Sequence, residues 1–194
     1  VRARRRLATM TTELLPGARA LLEGAKTASR ALARASAQLR DEALAAIAAS
    51  LASHSPQIVA ANSEDLARGA AEGMAEGLQD RLRLTPERIA ALSEAVTQIR
   101  ALPEPVGDVV RGMTLPNGLQ VSQIRVPFGV VGAIYEARPN VTIDIAALAL
   151  KSGNAVVLRG GSAAQSSNEV LVSLMQEALT SVGLPQAAIT SVDE

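Results

Sequence analysis

Hydrophobic positions recur at helical spacing through the first half of the chain, and the pattern changes abruptly near residue 105. From about Thr12 to Leu102 the sequence is alanine-rich and bare of strand signals. Leu44, Ile47, Ala48 and Leu51 share one side of a 3.6-residue period, which predicts a helix with one buried face. Ser55 before Pro56 reads as an N-cap with proline in the first turn, opening a helix whose apolar positions are Ile58, Val59 and Leu66. Thr85-Pro86-Glu87 repeats that start signal, with Glu87 at the positive end of the helix dipole, and Ile89, Leu92, Val96 and Ile99 form the stripe that follows. The glycines from Gly69 to Gly77 loosen or end the helix between these two starts. Pro103-Glu104-Pro105 then stops the helical period.

β-Formers dominate beyond that break. Asn117-Gly118 lies between the runs Met113-Thr114-Leu115 and Leu119-Gln120-Val121-Ser122, so Val109–Val126 is predicted to be a hairpin with a type I′ turn, both turn residues taking positive φ. A two-stranded ribbon is marginally stable alone, which places it against its own domain or a second subunit. GVVGAIYE, ending at Glu136, is a short β-branched run of the kind expected for a parallel strand covered on both faces. Val141 to Lys151 reads as a helix carrying Ile143, Ile145, Ala146, Leu148, Ala149 and Leu150, with Asn140 or Thr142 as N-cap and Gly153 at its end. Ala155–Leu158 is a second strand. Ser162 or a near neighbour opens another helix, with Val170, Leu171, Leu174, Met175 and Leu179 buried; Gly183-Leu184-Pro185 stops it before a third strand at Ala188–Val192. The order β-α-β-α-β predicts an α/β fold: a helical N-terminal region, a β-hairpin, then part of a doubly wound, Rossmann-like parallel sheet.

Composition removes several function classes. With 19 basic and 19 acidic residues the chain has no overall field for nucleic acid, and Phe128 and Tyr135 are the only aromatics, too few for a base-stacking platform. There is no cysteine, hence no disulfide, no thiolate metal site and no cysteine nucleophile within the chain; no metal is expected. No apolar run has the length of a membrane span, so no membrane partner is expected and the cytoplasm is the default location. The opening VRARRRLATM reads as a disordered leader over residues 1–11, or as sequence upstream of a start at Met10, ahead of a nucleic-acid arm or transit peptide. The one histidine, His54, stands at a helix end beside Ser53 and Ser55, where it complements the helix dipole and has no motif that would make it a general base.

In a parallel sheet, ligands collect beyond the carboxyl ends of the strands, where helix N-termini present N–H groups. Two strand ends carry suitable chemistry. At Arg159-Gly160-Gly161-Ser162, the glycines admit a phosphate to the backbone, Ser162 donates a hydrogen bond and Arg159 offers a bidentate fork that suits the 2′-phosphate of NADP. The plainer alternative is a surface arginine before an ordinary turn, and neither a GxxxxGK[ST] nor a GxGxxG motif is present. At the other end, Tyr135 to Asn140, Glu136 and Arg138 either meet a ligand or pair with each other, and Asn140 is either a functional amide or a cap.

Val126 to Ala164, VPFGVVGAIYEARPNVTIDIAALALKSGNAVVLRGGSAA, closely resembles the gamma-glutamyl phosphate reductases of the aldehyde dehydrogenase superfamily. YEARPNVT, LALKSGNAVVLRGG and the later GLP carry the resemblance, and ANSEDL and GLQDRLRLTPERI extend it over nearly the whole chain after Met10. It implies an NADP(H)-dependent oxidoreductase of proline biosynthesis that reduces L-glutamyl 5-phosphate to glutamate 5-semialdehyde and releases phosphate, with a cysteine thiolate as nucleophile. It further implies a homo-oligomer in which the hairpin extends a neighbour's sheet. Residues 12–104 then correspond to the helical part of the cofactor domain, 105–127 to the hairpin and 128–194 to the first part of the NADP-binding sheet, the catalytic domain lying outside this sequence. Arg159, Gly160, Gly161, Ser162 and Glu136 match cofactor-binding positions. Asn140 matches a polar group assisting the oxyanion, and Arg138 a contact to a substrate carboxylate or phosphate. Without the cysteine this chain by itself is expected to be inactive, and its half-sheet, with an unpaired edge, is expected to associate. A catalytically silent NADP-binding piece and an oligomerising module stand as the alternatives.

Overall fold

The computed structural model describes residues 16–192; the leader expected over residues 1–11 lies outside them. Five helices come first: α1 (Pro16–Leu32), α2 (Ala37–Ser53), α3 (Ser55–Ala71), α4 (Glu76–Leu82) and α5 (Pro86–Arg100). Two of their starts are side-chain caps. The Ser36 hydroxyl accepts from the Leu39 N–H at 3.1 Å, and the Thr85 hydroxyl from the Arg88 N–H at 3.2 Å, with Pro86 in the first turn as expected. Hydrogen bonding to its own backbone N–H, and then to Thr85, holds the Glu87 carboxyl below the usual range.

The start at Ser55 differs from the expectation. Ser55 is already helical and caps nothing; His54 stands at the cap between α2 and α3, which meet at 69°. A serine caps from extended backbone, and the chain is never extended here, since His54 sits at φ −103°, ψ 18°. The His54 ring nitrogen Nδ1 lies 2.9 Å from the Ser50 carbonyl, at the C-terminal end of α2 as its sequence context suggests. The buried face of α3 is also displaced from the expected one: Ile58, Ala61, Asn62, Asp65 and Gly69 point inward, whereas Val59 and Leu66 are half-exposed. Two of those inward residues are polar anchors described below.

Buried charges lock the break after α5. Arg40 donates to the Ala35 carbonyl at 2.6 Å and to Glu104 at 2.7 Å, and the same Glu104 oxygen accepts the Val106 N–H at 2.7 Å. Lys151, at the end of α6 (Pro139–Lys151), donates to Asp41 and to the Arg100 carbonyl, both at 2.8 Å. The chain thereby leaves the helical layer at a fixed point and enters the hairpin.

The hairpin pairs β1 (Val109–Thr114) with β2 (Gln120–Ile124), antiparallel, and every residue of both strands is exposed. Its turn is not type I′. The Gly118 N–H bonds the Leu115 carbonyl at 2.9 Å, the Leu119 carbonyl accepts the Leu115 N–H at 2.8 Å, and only Gly118 has a positive φ, +84°. This is a three-residue loop, Pro116-Asn117-Gly118, in which a type I turn is followed by a left-handed glycine. Pro116 fixes the first turn position, and Asn117 stays at negative φ with its side chain accepting the Leu119 N–H at 3.1 Å.

The sheet follows as expected: β3 (Val130–Ile134), β4 (Ala155–Arg159) and β5 (Ile189–Ser191) run parallel in the order β3-β4-β5, joined by α6 and α7 (Gln165–Ser181). β4 is buried from Ala155 to Leu158, but β3 is not covered on both faces. Gly132 and Ile134 are exposed, Ile134 at 82%, and β3 is one of the two edge strands among the described residues. The α6 helix starts earlier than expected, with Arg138 at the cap position and Pro139 in the first turn, so neither Asn140 nor Thr142 is a cap. Pro139 fixes φ and lacks an N–H, which suits the first helical position and moves the boundary upstream. One core joins the two halves of the chain, with Leu44, Leu51, Ile89 and Val96 in the same cluster as Ile143, Val156, Leu171 and Met175. Among the described residues no single helix is long and apolar enough to cross a membrane.

Candidate functional site

The carboxyl ends of β3, β4 and β5 open into a cleft of about 280 Å³ lined by Tyr135, Arg159, Gly160, Gly161, Ser162, Gln165, Asn168, Ser191 and Val192. Four of the expected site residues therefore converge there. The ladder holds them: the Tyr135 N–H donates to the Arg159 carbonyl at 3.1 Å, and the Val192 N–H to the Leu158 carbonyl at 2.8 Å. Arg159 is half-buried at the strand tip and Ser162 is exposed at the start of a 3₁₀ turn, Ser162–Ala164, that leads into α7.

The two glycines are explained first by packing. A Cβ on Gly160 would lie 2.3 Å from the Asn168 amide nitrogen, and one on Gly161 would lie 2.9 Å from the Ala137 backbone nitrogen. The turn after β4 is pressed against α7 on one side and against the turn after β3 on the other. A polar chain fills the joint. The buried Thr142 hydroxyl donates to Asn168 Oδ1 at 2.7 Å, so its single proton is spent there and the Tyr135 hydroxyl, 2.7 Å away, donates to Thr142.

The start of α7 is not open to a phosphate in the way the sequence suggests. Asp65, fully buried on α3, accepts from the Ser166 N–H at 3.0 Å, the Ser167 N–H at 2.8 Å and the Ser167 hydroxyl at 2.6 Å, and it pairs with Arg68. A carboxylate at the positive end of a helix is the favourable arrangement, and here it comes from a different helix. Asn62 adds a second tie, donating to Ser167 Oγ at 3.0 Å and to the Leu82 carbonyl at 2.9 Å while accepting the Leu84 N–H at 2.7 Å. The first free helical end at the cleft is thus the 3₁₀ turn at Ser162. Sequence reading missed Asp65 and Asn62; their signal was polar residues on the same helical stripe as Ile58, with Ser166-Ser167 in the first turn of α7.

Arg138 and Asn140 lie elsewhere. They line a second cleft of about 410 Å³ with Asp80, Arg81, Arg83, Leu84, Arg88, Ala91 and Leu92. Glu136 does not reach the Arg159 cleft; with Ala137, Arg138 and Ala163 it lines a third, against Met74, Leu78, Arg81 and Leu82. Glu136 and Arg138 stand 3.6 Å apart at the surface, an ion pair of the kind that contributes less than about 1 kcal/mol. Arg138 Nε is shut off from solvent without a hydrogen-bond partner. Among the described residues no group of three or more His, Cys, Asp or Glu side chains could hold a metal ion.

A family profile described as "Aldehyde dehydrogenase family" matches residues 6–194. The gamma-glutamyl phosphate reductase of Kineococcus radiotolerans is 62% identical over 175 residues, which cover 90% of this chain and 40% of that protein. That of Thermobifida fusca is 52% identical, over 93% of this chain and 43% of its own length. The crystal structure of gamma-glutamyl phosphate reductase from Thermotoga maritima superposes with a TM-score of 0.85 at 38% identity, covering 89% of this chain and 42% of that one. The Saccharomyces cerevisiae enzyme gives 0.86 at 28% identity, covering 90% and 45%. The chain spans about two fifths of the length of the curated relatives it matches.

Proposed function

The chain belongs to the aldehyde dehydrogenase family, and we propose that it supplies the cofactor-holding part of an NADP(H)-dependent reductase of proline biosynthesis, acting on L-glutamyl 5-phosphate. The observation that carries the reading is the convergence of Arg159 and Ser162 on one cleft at the carboxyl ends of three parallel strands. Arg159 sits at the tip of β4, where a guanidinium forks onto a ribose 2′-phosphate, and Ser162 is exposed beside it to donate a hydrogen bond. The donor set fits an anionic nucleotide. Bound there, NADPH supplies the hydride that reduces the acyl group to the aldehyde.

The chain's own residues bind and orient. The Asp65 and Asn62 ties fix the β4–α7 turn against α3, so Arg159 and Ser162 are held by the scaffold before a ligand arrives. The order β3-β4-β5 grows to one side only, and the exposed edge of β3 is where the second half of a doubly wound sheet would add. This supports reading residues 128–194 as the first half of a nucleotide-binding sheet and residues 12–104 as the helical layer packed on it. The thiolate that acyl reduction needs is absent from these 194 residues, and this reading assigns it to the part of the relatives' length that they do not span.

The hairpin supports assembly into a homo-oligomer. Val109, Val110, Met113, Leu119, Val121 and Ile124 are exposed on a ribbon with two open edges, a poor arrangement for an isolated subunit.

The test is nucleotide preference. Losing one charge-assisted contact to a phosphate corresponds to about tenfold in affinity or more. Arg159→Ala should therefore weaken NADPH binding about tenfold and leave NADH binding nearly unchanged, measured by nucleotide fluorescence on the purified protein. Equal loss of both nucleotides, or no loss of either, overturns the 2′-phosphate reading.

A further inference from the structure

We propose that the second cleft, between the α4–α5 connection and the turn after β3, is a binding site for a small-molecule oxyanion, with Arg81, Arg83 and Arg138 as its cations. Four arginines line it, Arg81, Arg83, Arg88 and Arg138, against one acid, Asp80. Arg88 is already committed to the framework. It donates to the Asp80 carboxylate at 2.9 Å and to the carbonyls of Asp80 and Arg83 at 2.5 and 2.9 Å, closing the loop that carries the others. Asp80 is thereby neutralised, and the charge left over is positive.

Among the described residues the guanidiniums of Arg81 and Arg83 make no hydrogen bond or ion pair. Arg138 meets only the exposed Glu136, through Nε at 3.6 Å, a contact too long for a hydrogen bond. Cations from two separate parts of the chain line one cleft, and an anion between them would be attracted by all of them. Two further features favour one. Asn140 lines the cleft, and the first turn of α6 carries no acidic residue and no side-chain cap, in contrast to α7, which Asp65 closes. The open volume of about 410 Å³ admits a phosphate or a carboxylate with its carbon chain.

The anion binding stands on this geometry alone; naming the anion rests on the reductase reading. In that reaction the substrate carries two oxyanions, a phosphoryl group and an α-carboxylate, and either presents the chemistry the cleft would recognise. Inorganic phosphate and L-glutamate are the probes, each titrated into the purified protein at low ionic strength and followed by calorimetry. Saturable binding of phosphate, weakened about tenfold in Arg81→Ala/Arg83→Ala and in Arg138→Ala but unchanged in Arg111→Ala on the hairpin, assigns the phosphoryl group. The same pattern with L-glutamate instead assigns the carboxylate. Saturation by neither probe, or equal affinity of wild type and the double variant, overturns the site. Arg81 and Arg83 are exposed and hold no structural bond, so the double variant should keep the wild-type melting temperature; Arg83→Gln gives a milder check. Arg159 lines the other cleft, so a failed nucleotide preference would refute the NADP reading and leave this result intact.

Discussion

Replacing Asp65 with alanine removes a single carboxylate that accepts two backbone N–H groups, one hydroxyl and one guanidinium. The two N–H groups belong to the first turn of α7, and losing a cap at such a position costs about 1–2 kcal/mol. The Ser167 hydroxyl is fully buried and would lose its acceptor, adding about 1 kcal/mol. Arg68 is 41% exposed and rehydrates, so its share stays below about 1 kcal/mol. The expected loss is about 3 kcal/mol, which for a unit of this size lowers the melting temperature by about 6–12 °C. Thermal and urea unfolding followed by circular dichroism would measure it. Asp65→Asn should fall between wild type and alanine, because an amide keeps one acceptor and turns a donor toward an N–H. Arg68→Ala should stay within about 1 kcal/mol of wild type. An Asp65→Ala protein within about 1 kcal/mol of wild type would refute the cross-helix cap. So would Arg68→Ala matching it, since the ion pair would then be the dominant contact. The same substitution frees the turn at Ser162, so nucleotide affinity should drop even well below the melting temperature.

Three other outcomes are expected. Gly161→Ala brings a methyl to 2.9 Å from the Ala137 backbone nitrogen and should cost about 1–3 kcal/mol by urea unfolding, more than Gly160→Ala, whose obstacle is the side chain of Asn168. Burial pushes the Asp144 carboxyl above its usual range, so the folded chain binds more protons than the unfolded one between the two pKa values, and this group's contribution to stability rises as pH falls through the raised value. Asp144→Asn should accordingly melt higher than wild type at pH 7, with the gap closing at pH 3; a gap that persists in acid would show that burial of the charge is not its cause. Val121→Lys on the hairpin should shift the protein to lower mass in sedimentation velocity at high concentration, and an unchanged distribution would remove the hairpin from the assembly interface.

Much of the fold was legible because the residues that make it act locally. Thr85-Pro86 caps α5 whatever surrounds it, and the Pro103–Pro105 break and the β-branched runs at Val130 and Ala155 need no distant partner to be recognised. The misses have the opposite character. The hairpin turn took three residues because Pro116 imposed a type I start that Asn117-Gly118 alone does not reveal. Ser55 failed as a cap because α3 follows α2 directly through a 69° bend at His54, a matter of how two helices meet.

The candidate site divides in the same way. Arg159, Gly160, Gly161 and Ser162 are neighbours in sequence at a strand end, so their proximity follows from one β-to-α turn and could be read directly. Asp65 lies 102 residues from Ser167, and Arg81 and Arg83 lie on a different element from Arg138. Polar residues on the buried stripe of α3 and arginines around a short helix carry no local signature that says what they face. Short-range sterics and hydrogen bonding determined the elements and the strand-end motif from the sequence alone. Which carboxylate closes which helix, and which cations share a cleft, was decided only when long-range packing brought separate segments within hydrogen-bond distance.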